Sequence, residues 1–147
     1  MKVLVVGSNE KGIQGSGGAA DAFRDYGAVW GEGFGYFTGG KLGNCYLIPT
    51  KSTPDRGDYA ILSEDKIREY VSAFTWFAAA HPELTFDVTA IGCGRARPSA
   101  QSREFRVSVI APMFAEAYKL KNVNLPVEFI NVLSRDDGES RGSVNHV

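Results

Sequence analysis

The sequence has few of the residues that mark metal-binding, disulfide-bonded or membrane proteins. Its 147 residues include only two cysteines and two histidines, and Cys45 and Cys93 form neither a CxxC pair nor a metal-ligand pattern. Lysine and arginine number 16, and aspartate and glutamate number 17, without the basic excess typical of nucleic-acid-binding proteins. No apolar run approaches the roughly 20 residues that span a bilayer, and no secretory signal pattern is present. We therefore expect an intracellular protein with no metal, cofactor, nucleic-acid or membrane partner.

Glycine, by contrast, is abundant near the amino terminus. Many of the 17 glycines lie in the first 43 residues, and the glycine-rich segment Gly7–Ala20 connects a valine-rich strand to a helix. Its spacing fits neither GxxxxGK[ST] nor GxGxxG. Glycines nevertheless leave backbone amides accessible, and a helix amino terminus adds positive partial charge. The segment predicts a binding site for the phosphates of a nucleotide-like ligand over Gly15–Gly18; a tight strand-to-helix connection is the alternative.

Apolar strands alternate with amphipathic helices along the chain. The predicted strands are Lys2–Val6, Cys45–Ile48 (ended by Pro49), Leu84–Ile91 and Val127–Leu133. The predicted helices are Gly17–Tyr26, a helix capped by Ser63 that ends at Ala80, and Glu104–Lys119, with Pro112 at a first turn or a kink. The segment Gly31–Gly43 is predicted to be a long loop.

This order of elements predicts a three-layer α/β domain with a largely parallel central sheet. The domain is expected to span residues 1–133, and residues 134–147 are expected to form a flexible tail, because they contain charges, glycines and few apolar residues. Ligands of such sheets collect at the carboxyl ends of the strands. A second glycine loop, Gly92-Cys93-Gly94, follows the predicted strand that ends at Ile91. We expect both glycine loops to face one ligand.

The order of several motifs resembles the macro-domain-like family, in particular its small phage and bacterial members. The resemblance covers roughly residues 2–133 and rests on Asn9, Gly17-Gly18-Ala19-Ala20, Tyr26-Gly27-Ala28, Tyr46-Leu47-Ile48-Pro49-Thr50-Lys51, Thr89-Ala90-Ile91-Gly92-Cys93-Gly94 and Ala111-Pro112-Met113-Phe114. Macro domains bind ADP-ribose and related NAD-derived nucleotides, and some hydrolyse ADP-ribosyl esters or ADP-ribose-1″-phosphate.

The resemblance implies roles for individual residues. Asn9 matches the asparagine beside the distal ribose and is the candidate catalytic residue. Three residues, Gly17, Gly18 and Ala19, match the loop along that ribose and the diphosphate. Four residues, Gly92, Cys93, Gly94 and Arg95, match the second phosphate loop. The other candidate ligand-binding residues are Gly7, Ser8, Gly15, Ser16, Glu32, Phe34 and Thr50.

Two departures from the family pattern affect these expectations. Macro domains carry an upstream strand and an Asp-Ile pair that reads the adenine, and these 147 residues contain no counterpart. The second loop continues as Arg95-Ala96-Arg97-Pro98, where small relatives have an apolar residue, a small residue and a glycine. These arginines either contact additional phosphate or lie in solvent.

Several candidate residues have a plain structural alternative. Asn9 is either a ligand contact or a turn residue bonded to its own backbone. Cys93 is better explained as a small residue between glycines than as a nucleophile, because no histidine is placed to activate it. Phe34 and its aromatic neighbours either stack on a base or pack beneath the loop. Glu32 is the acid that a glycine loop would bring over the ligand.

The expected function is binding of ADP-ribose or a related NAD-derived nucleotide. Hydrolysis of an ADP-ribosyl or ADP-ribose-1″-phosphate bond, by an oriented water, is the enzymatic form of this expectation. One alternative is a non-catalytic binding module, a phage-type sponge that sequesters a nucleotide immune signal, and another is a structural or interaction protein that keeps the fold without the ligand. The expected compartment is the cytoplasm of a bacterium or an infected host cell, and the sequence does not predict an oligomeric state.

Overall fold

The computed structural model describes residues 2–13 and 17–135. The strands are β1 (Lys2–Asn9), β2 (Gly35–Phe37), β3 (Asn44–Lys51), β4 (Thr85–Val88) and β5 (Val123–Asn124). The helices are α1 (Gly17–Asp25), α2 (Glu64–Ala80), α3 (Arg103–Ile110), α4 (Ala115–Tyr118) and α5 (residues 127–135). Single 3₁₀ turns occupy Asp58–Ala60 and Ala111–Phe114.

The five strands form one sheet in the order β2-β3-β1-β4-β5. The central strand β1 is parallel to both β3 and β4, β5 is parallel to β4, and only β2 is antiparallel to its neighbour. The predicted α/β class with a largely parallel sheet is therefore confirmed. The valine-rich sequence of β1 accounts for its central position, because Val3, Val5 and Val6 are all buried and a central parallel strand is covered on both faces.

Helices cover both faces of the sheet. Val3 and Val5 belong to a large apolar cluster with the helices from α2 to α5, in which the ring of Phe74 lies 5.1 Å from Tyr46. Val6 points the other way into a smaller cluster with Ala22 of α1. The side chains of alternate residues of β1 thus pack on opposite faces of the sheet, as a three-layer arrangement requires.

Helix α2 follows the sequence pattern closely. The side chain of Ser63 accepts a hydrogen bond from the Lys66 amide at 3.2 Å, and the helix ends at Ala80 as predicted. Its buried residues recur every three or four positions, as the pattern predicted: Ile67, Val71, Phe74 and Ala78. The predicted first turn at Pro112 is confirmed, since Pro112 is the second residue of the 3₁₀ turn Ala111–Phe114 between α3 and α4.

The prediction that Pro49 ends the second strand is wrong. Strand β3 continues through Pro49 to Lys51, because its pairing with the edge strand β2 has already ended at Leu47. A proline is tolerated where one neighbouring strand is missing. The segment predicted as a continuous loop, Gly31–Gly43, contains β2.

The strand predicted at Val127–Leu133 is a helix, α5. Pro126 begins it, since the Pro126 carbonyl accepts hydrogen bonds from the Phe129 and Ile130 amides, and Phe129 and Leu133, four residues apart, are buried. The last strand is instead the two-residue β5, and β4 is shorter than the predicted Leu84–Ile91. Residues 134 and 135 of the predicted tail belong to α5, and residues 136–147 lie outside the described part of the chain.

Candidate functional site

The carboxyl ends of β1, β3 and β4 lie side by side at one edge of the sheet. A Cβ atom on Gly7 would lie 3.5 Å from the Cβ of Ile91, 3.5 Å from Oγ1 of Thr50 and 3.8 Å from the amide nitrogen of Gly92. The structure thus brings together three of the candidate ligand-binding residues, Gly7, Thr50 and Gly92. Gly7, Ser8 and Asn9 belong to β1 itself, which is longer than predicted.

The side chain of Asn9 closes a turn after β1. Its Oδ1 accepts a hydrogen bond from the Ile13 amide at 3.3 Å, and its Nδ2 donates to the Ile13 carbonyl at 2.9 Å. The Gly12 amide donates to the Asn9 carbonyl at 3.0 Å. Asn9 therefore has the turn role that was the alternative to ligand contact, and its side chain is buried.

A second glycine segment packs directly against this turn. The Ser8 hydroxyl donates to the Gly33 carbonyl, and the Gly31 amide donates to the Gly12 carbonyl at 2.9 Å. A Cβ atom on Gly33 would overlap the carbonyl oxygen of Asn9, and Gly12, with φ +68°, lies against the backbone of Glu32. These glycines are required by close backbone approach. The side chain of Glu32 is exposed.

Phe34 lies at the border of an aromatic cluster. Its ring centroid is 5.1 Å from Tyr70 and 6.2 Å from Tyr46, yet 45% of the residue is exposed. The Tyr70 hydroxyl donates to Oε2 of Glu10 at 2.5 Å. Burial, followed by this hydrogen bond, raises the pKa of Tyr70 to about 12. Phe34 thus packs on the cluster and still presents an accessible ring.

The second glycine loop is anchored in the core. Gly92 has φ +73°, a conformation that favours glycine, and a Cβ atom there would lie 3.4 Å from Ile110. Cys93 is 1% exposed, and burial raises the pKa of its thiol to about 11. The thiol is therefore protonated and faces the core, as expected of a structural cysteine. Gly94 and Arg95 are exposed.

Two arginines of α3 donate hydrogen bonds to the backbone carbonyls of this loop. Arg106 donates from Nε to the Gly92 carbonyl at 3.0 Å and from Nη2 to the Ala96 carbonyl at 3.3 Å. Arg103 donates from Nη1 to the Cys93 carbonyl at 3.2 Å, and its Nη2 contacts both carboxylate oxygens of Glu128, at 2.9 and 3.0 Å. Arg106 is only 2% exposed, and burial lowers its pKa.

Sequence reasoning did not single out Arg106. One signal was present, because Arg106, Val107 and Ile110 share the buried side of α3. A charged residue on the apolar side of an amphipathic helix is unusual unless the protein satisfies it with hydrogen bonds.

The loop that follows β3 is tied to the end of the second glycine loop. The Asp58 carboxylate accepts hydrogen bonds from the Ser99 amide, at 3.1 Å to each oxygen, and from the Ser99 hydroxyl at 2.8 Å. These bonds link two segments that are 41 positions apart in the sequence. At this edge of the sheet, the loop after β3 is therefore bonded to the second glycine segment, and the turn after β1 is bonded to residues 31–33.

A groove of about 760 Å³ lies elsewhere, between α3 and α5. Its lining includes Arg103, Phe105, Glu104, Glu128, Asn131 and Arg135. The two glutamates of this lining balance its two arginines, and Arg103 is already paired with Glu128. We therefore place the candidate site at the glycine loops rather than in this groove.

Within residues 2–13 and 17–135, no group of three or more histidine, cysteine, aspartate or glutamate side chains is arranged to hold a metal ion. No helix of the described chain combines the length and the apolar character needed to cross a membrane.

The predicted site falls partly outside the described residues. Gly15 and Ser16 lie outside them, and Gly17, Gly18 and Ala19 form the first turn of α1. No protein-family model matches the chain, and no curated protein or solved structure matches it.

Proposed function

We propose that this chain is a macro-domain-like protein that binds ADP-ribose or a related NAD-derived nucleotide. The observation that carries the proposal is the approach of β1 to the loop that follows β4, where Gly7 and Gly92 lie close together beside Thr50. Parallel α/β sheets bind their ligands at this edge. The ligand class, an NAD-derived nucleotide, is proposed from the order of the sequence motifs, which resembles that of macro domains.

The chemistry at this edge suits a diphosphate. Helix α1 begins at Gly17, directly after the first loop, and a helix amino terminus favours a phosphate. Gly94 on the second loop has open space where a Cβ would lie, so its backbone is accessible to a ligand. In the proposed complex the diphosphate lies between residues 15–18 and 92–95.

Binding without hydrolysis is the form of this function that the side chains favour. The amide of Asn9 bonds to Ile13 and so is not positioned to orient a water molecule. The Cys93 thiol is buried and protonated, and a thiol must be ionised to act as a nucleophile. A module that sequesters its nucleotide is therefore our proposal, with hydrolysis as its rival.

Isothermal titration calorimetry with ADP-ribose tests the binding proposal. We expect a one-to-one complex with micromolar or tighter affinity, at least tenfold weakened by Gly94→Val. The valine side chain would project from the second loop into the space assigned to the diphosphate, and the fold would tolerate it, because the site is open and no left-handed φ is required. Ala100→Val, at an exposed position of the segment that follows, is the matched control and should bind like the wild type.

Absence of heat with ADP-ribose, ADP-ribose-1″-phosphate and cyclic variants would refute the ligand class. Chromatography of the recovered ligand distinguishes a sequestering module from a hydrolase. A sequestering module returns the ligand unmodified after denaturation of the protein, whereas ribose-linked or phosphate product would establish a hydrolase.

A further inference from the structure

Phe34 is an exposed aromatic residue at the sheet edge that carries the candidate site. It follows Gly33, which lies against the Asn9 carbonyl at the end of β1, and 45% of the residue is exposed. Its two aromatic neighbours, Tyr46 and Tyr70, meet it at interplanar angles of 87° and 50°. Neither angle is that of a parallel stack, so these neighbours support the ring without stacking on it.

Tyr70 connects this ring to an acidic group. Its ring centroid lies 5.1 Å from that of Phe34, and its hydroxyl donates to Oε2 of Glu10. Glu10 is the exposed residue that follows Asn9 in the turn after β1, and its amide donates to the Lys51 carbonyl. Within residues 2–13 and 17–135, no hydrogen bond or ion pair occupies Oε1 of Glu10. An accessible ring and an acceptor oxygen are therefore fixed by contacts to one tyrosine.

The chemistry of this pair suits a nucleotide base better than a phosphate. A base is planar, and aromatic side chains bind bases by stacking. The carboxylate of Glu10 only accepts hydrogen bonds, so it attracts donors such as an exocyclic amino group and repels an anion. Burial, followed by the hydrogen bond to Glu10, raises the pKa of Tyr70 to about 12. Tyr70 is therefore protonated at neutral pH and remains the donor that holds Glu10.

We propose that Phe34 and Glu10 bind the base of the nucleotide, with the base stacked on the Phe34 ring and its exocyclic amino group donating to the Glu10 carboxylate. Tyr70 is the positioning residue, because it contacts both. The inference rests on the proposed function, since it names the residues that recognise one end of the same ligand.

This assignment differs from the one that the macro-domain resemblance implies. There an upstream Asp-Ile pair reads the adenine, and the asparagine that Asn9 matches lies beside the distal ribose. In this chain the Asn9 amide bonds to Ile13 and is not available to a ribose hydroxyl. The surface beside it, formed by Phe34 and Glu10, is therefore assigned to the base.

Calorimetry with three ligands separates recognition of the base from recognition of the phosphates. ADP-ribose carries both parts, AMP carries the base with one phosphate, and pyrophosphate carries no base. Each would be titrated into the wild type, Phe34→Leu, Phe34→Tyr and Glu10→Ala, with every unfolding midpoint recorded without ligand. Trp76→Leu is the matched control, because Trp76 is an aromatic residue, 78% exposed, on the part of α2 that leads to the amino end of β4.

We expect Phe34→Leu to weaken the binding of ADP-ribose and of AMP at least fivefold and to leave pyrophosphate binding unchanged. Leucine retains the apolar contact with the neighbouring rings but offers no aromatic face. Phe34→Tyr restores the ring and should bind all three ligands like the wild type, as should Trp76→Leu. Glu10→Ala should weaken ADP-ribose binding at least threefold without weakening pyrophosphate binding, because loss of a carboxylate does not disfavour an anion.

Equal affinities of the wild type and Phe34→Leu for ADP-ribose would overturn the inference and leave the proposed function standing. An equal loss for ADP-ribose and pyrophosphate would also overturn it, since the ring would then affect the site as a whole. If Phe34→Leu does not fold, Glu10→Ala decides, and an unchanged affinity for ADP-ribose there contradicts the inference. If AMP binds through Phe34 but ADP-ribose gives no heat, the proposed function fails and the inference stands, whereas no heat with either ligand overturns both.

Discussion

At the scale of single residues, Asn9 and Cys93 have local roles that their surroundings decide. The amide of Asn9 meets the backbone of Ile13 because the chain turns at Gly12, whose φ is +68°. The Cys93 thiol enters the core because Gly92 before it also has a positive φ. The residue type does not distinguish a ligand contact from a structural role at either position, because the role depends on where the backbone directs the side chain.

The two buried thiols predict a specific dependence of stability on pH. Burial raises the pKa of Cys45 and of Cys93 to about 11, whereas the same thiols ionise near 9 in the unfolded chain. The contribution of these protonated thiols to the free energy of unfolding is fully present below pH 9 and is lost as the pH rises toward 11. We expect the free energy of unfolding to fall between pH 8 and pH 10 by roughly 1 kcal/mol per thiol, as measured by urea denaturation.

A Cys45→Ala, Cys93→Ala double variant is the control for this pH dependence. It should lose stability at all pH values through the cavities it creates, but its decrease between pH 8 and pH 10 should be smaller than that of the wild type. An equal decrease in both proteins would mean that the thiols do not titrate as the structure implies.

At the scale of elements, the sequence predicted those with strong periodicity and failed at short or ambiguous ones. Helix α2 was predicted with its cap and its end, because its apolar period and Ser63 agree. The strand assigned to Val127–Leu133 was wrong because a short apolar run fits either structure, and Pro126 as a helix start was overlooked. The edge strand β2 has three residues, all half-buried, and no alternation long enough to recognise.

The cap of α2 gives a direct prediction for the element. Ser63→Ala removes the acceptor of the Lys66 amide and should lower the free energy of unfolding by about 1 kcal/mol. Urea denaturation measures this loss. The control is Ser72→Ala at an exposed position within the same helix, where alanine is the better helix former and should be neutral or slightly stabilising. Equal effects at both positions would show that Ser63 does not act as a cap.

At the scale of the whole molecule, the alternation of strands and helices sufficed to predict an α/β sheet with two glycine loops at one edge. The mutual approach of Gly7, Thr50 and Gly92 could not be measured from the sequence, because it depends on the strand order, with β1 between β3 and β4. The hydrogen bonds of Arg106 to the second glycine loop could not be predicted either, because its carbonyl partners lie 10 and 14 residues away in the chain.

The central claim is that a nucleotide diphosphate lies between the two glycine loops. Amide chemical shifts recorded by NMR during titration with ADP-ribose test it most directly, because they report the location of the ligand as well as its presence. The account predicts that the largest changes occur at residues 15–18 and 92–95, with little change in the groove between α3 and α5. Changes concentrated at residues 102–108 and 128–135, or no changes at saturating ligand, would contradict it.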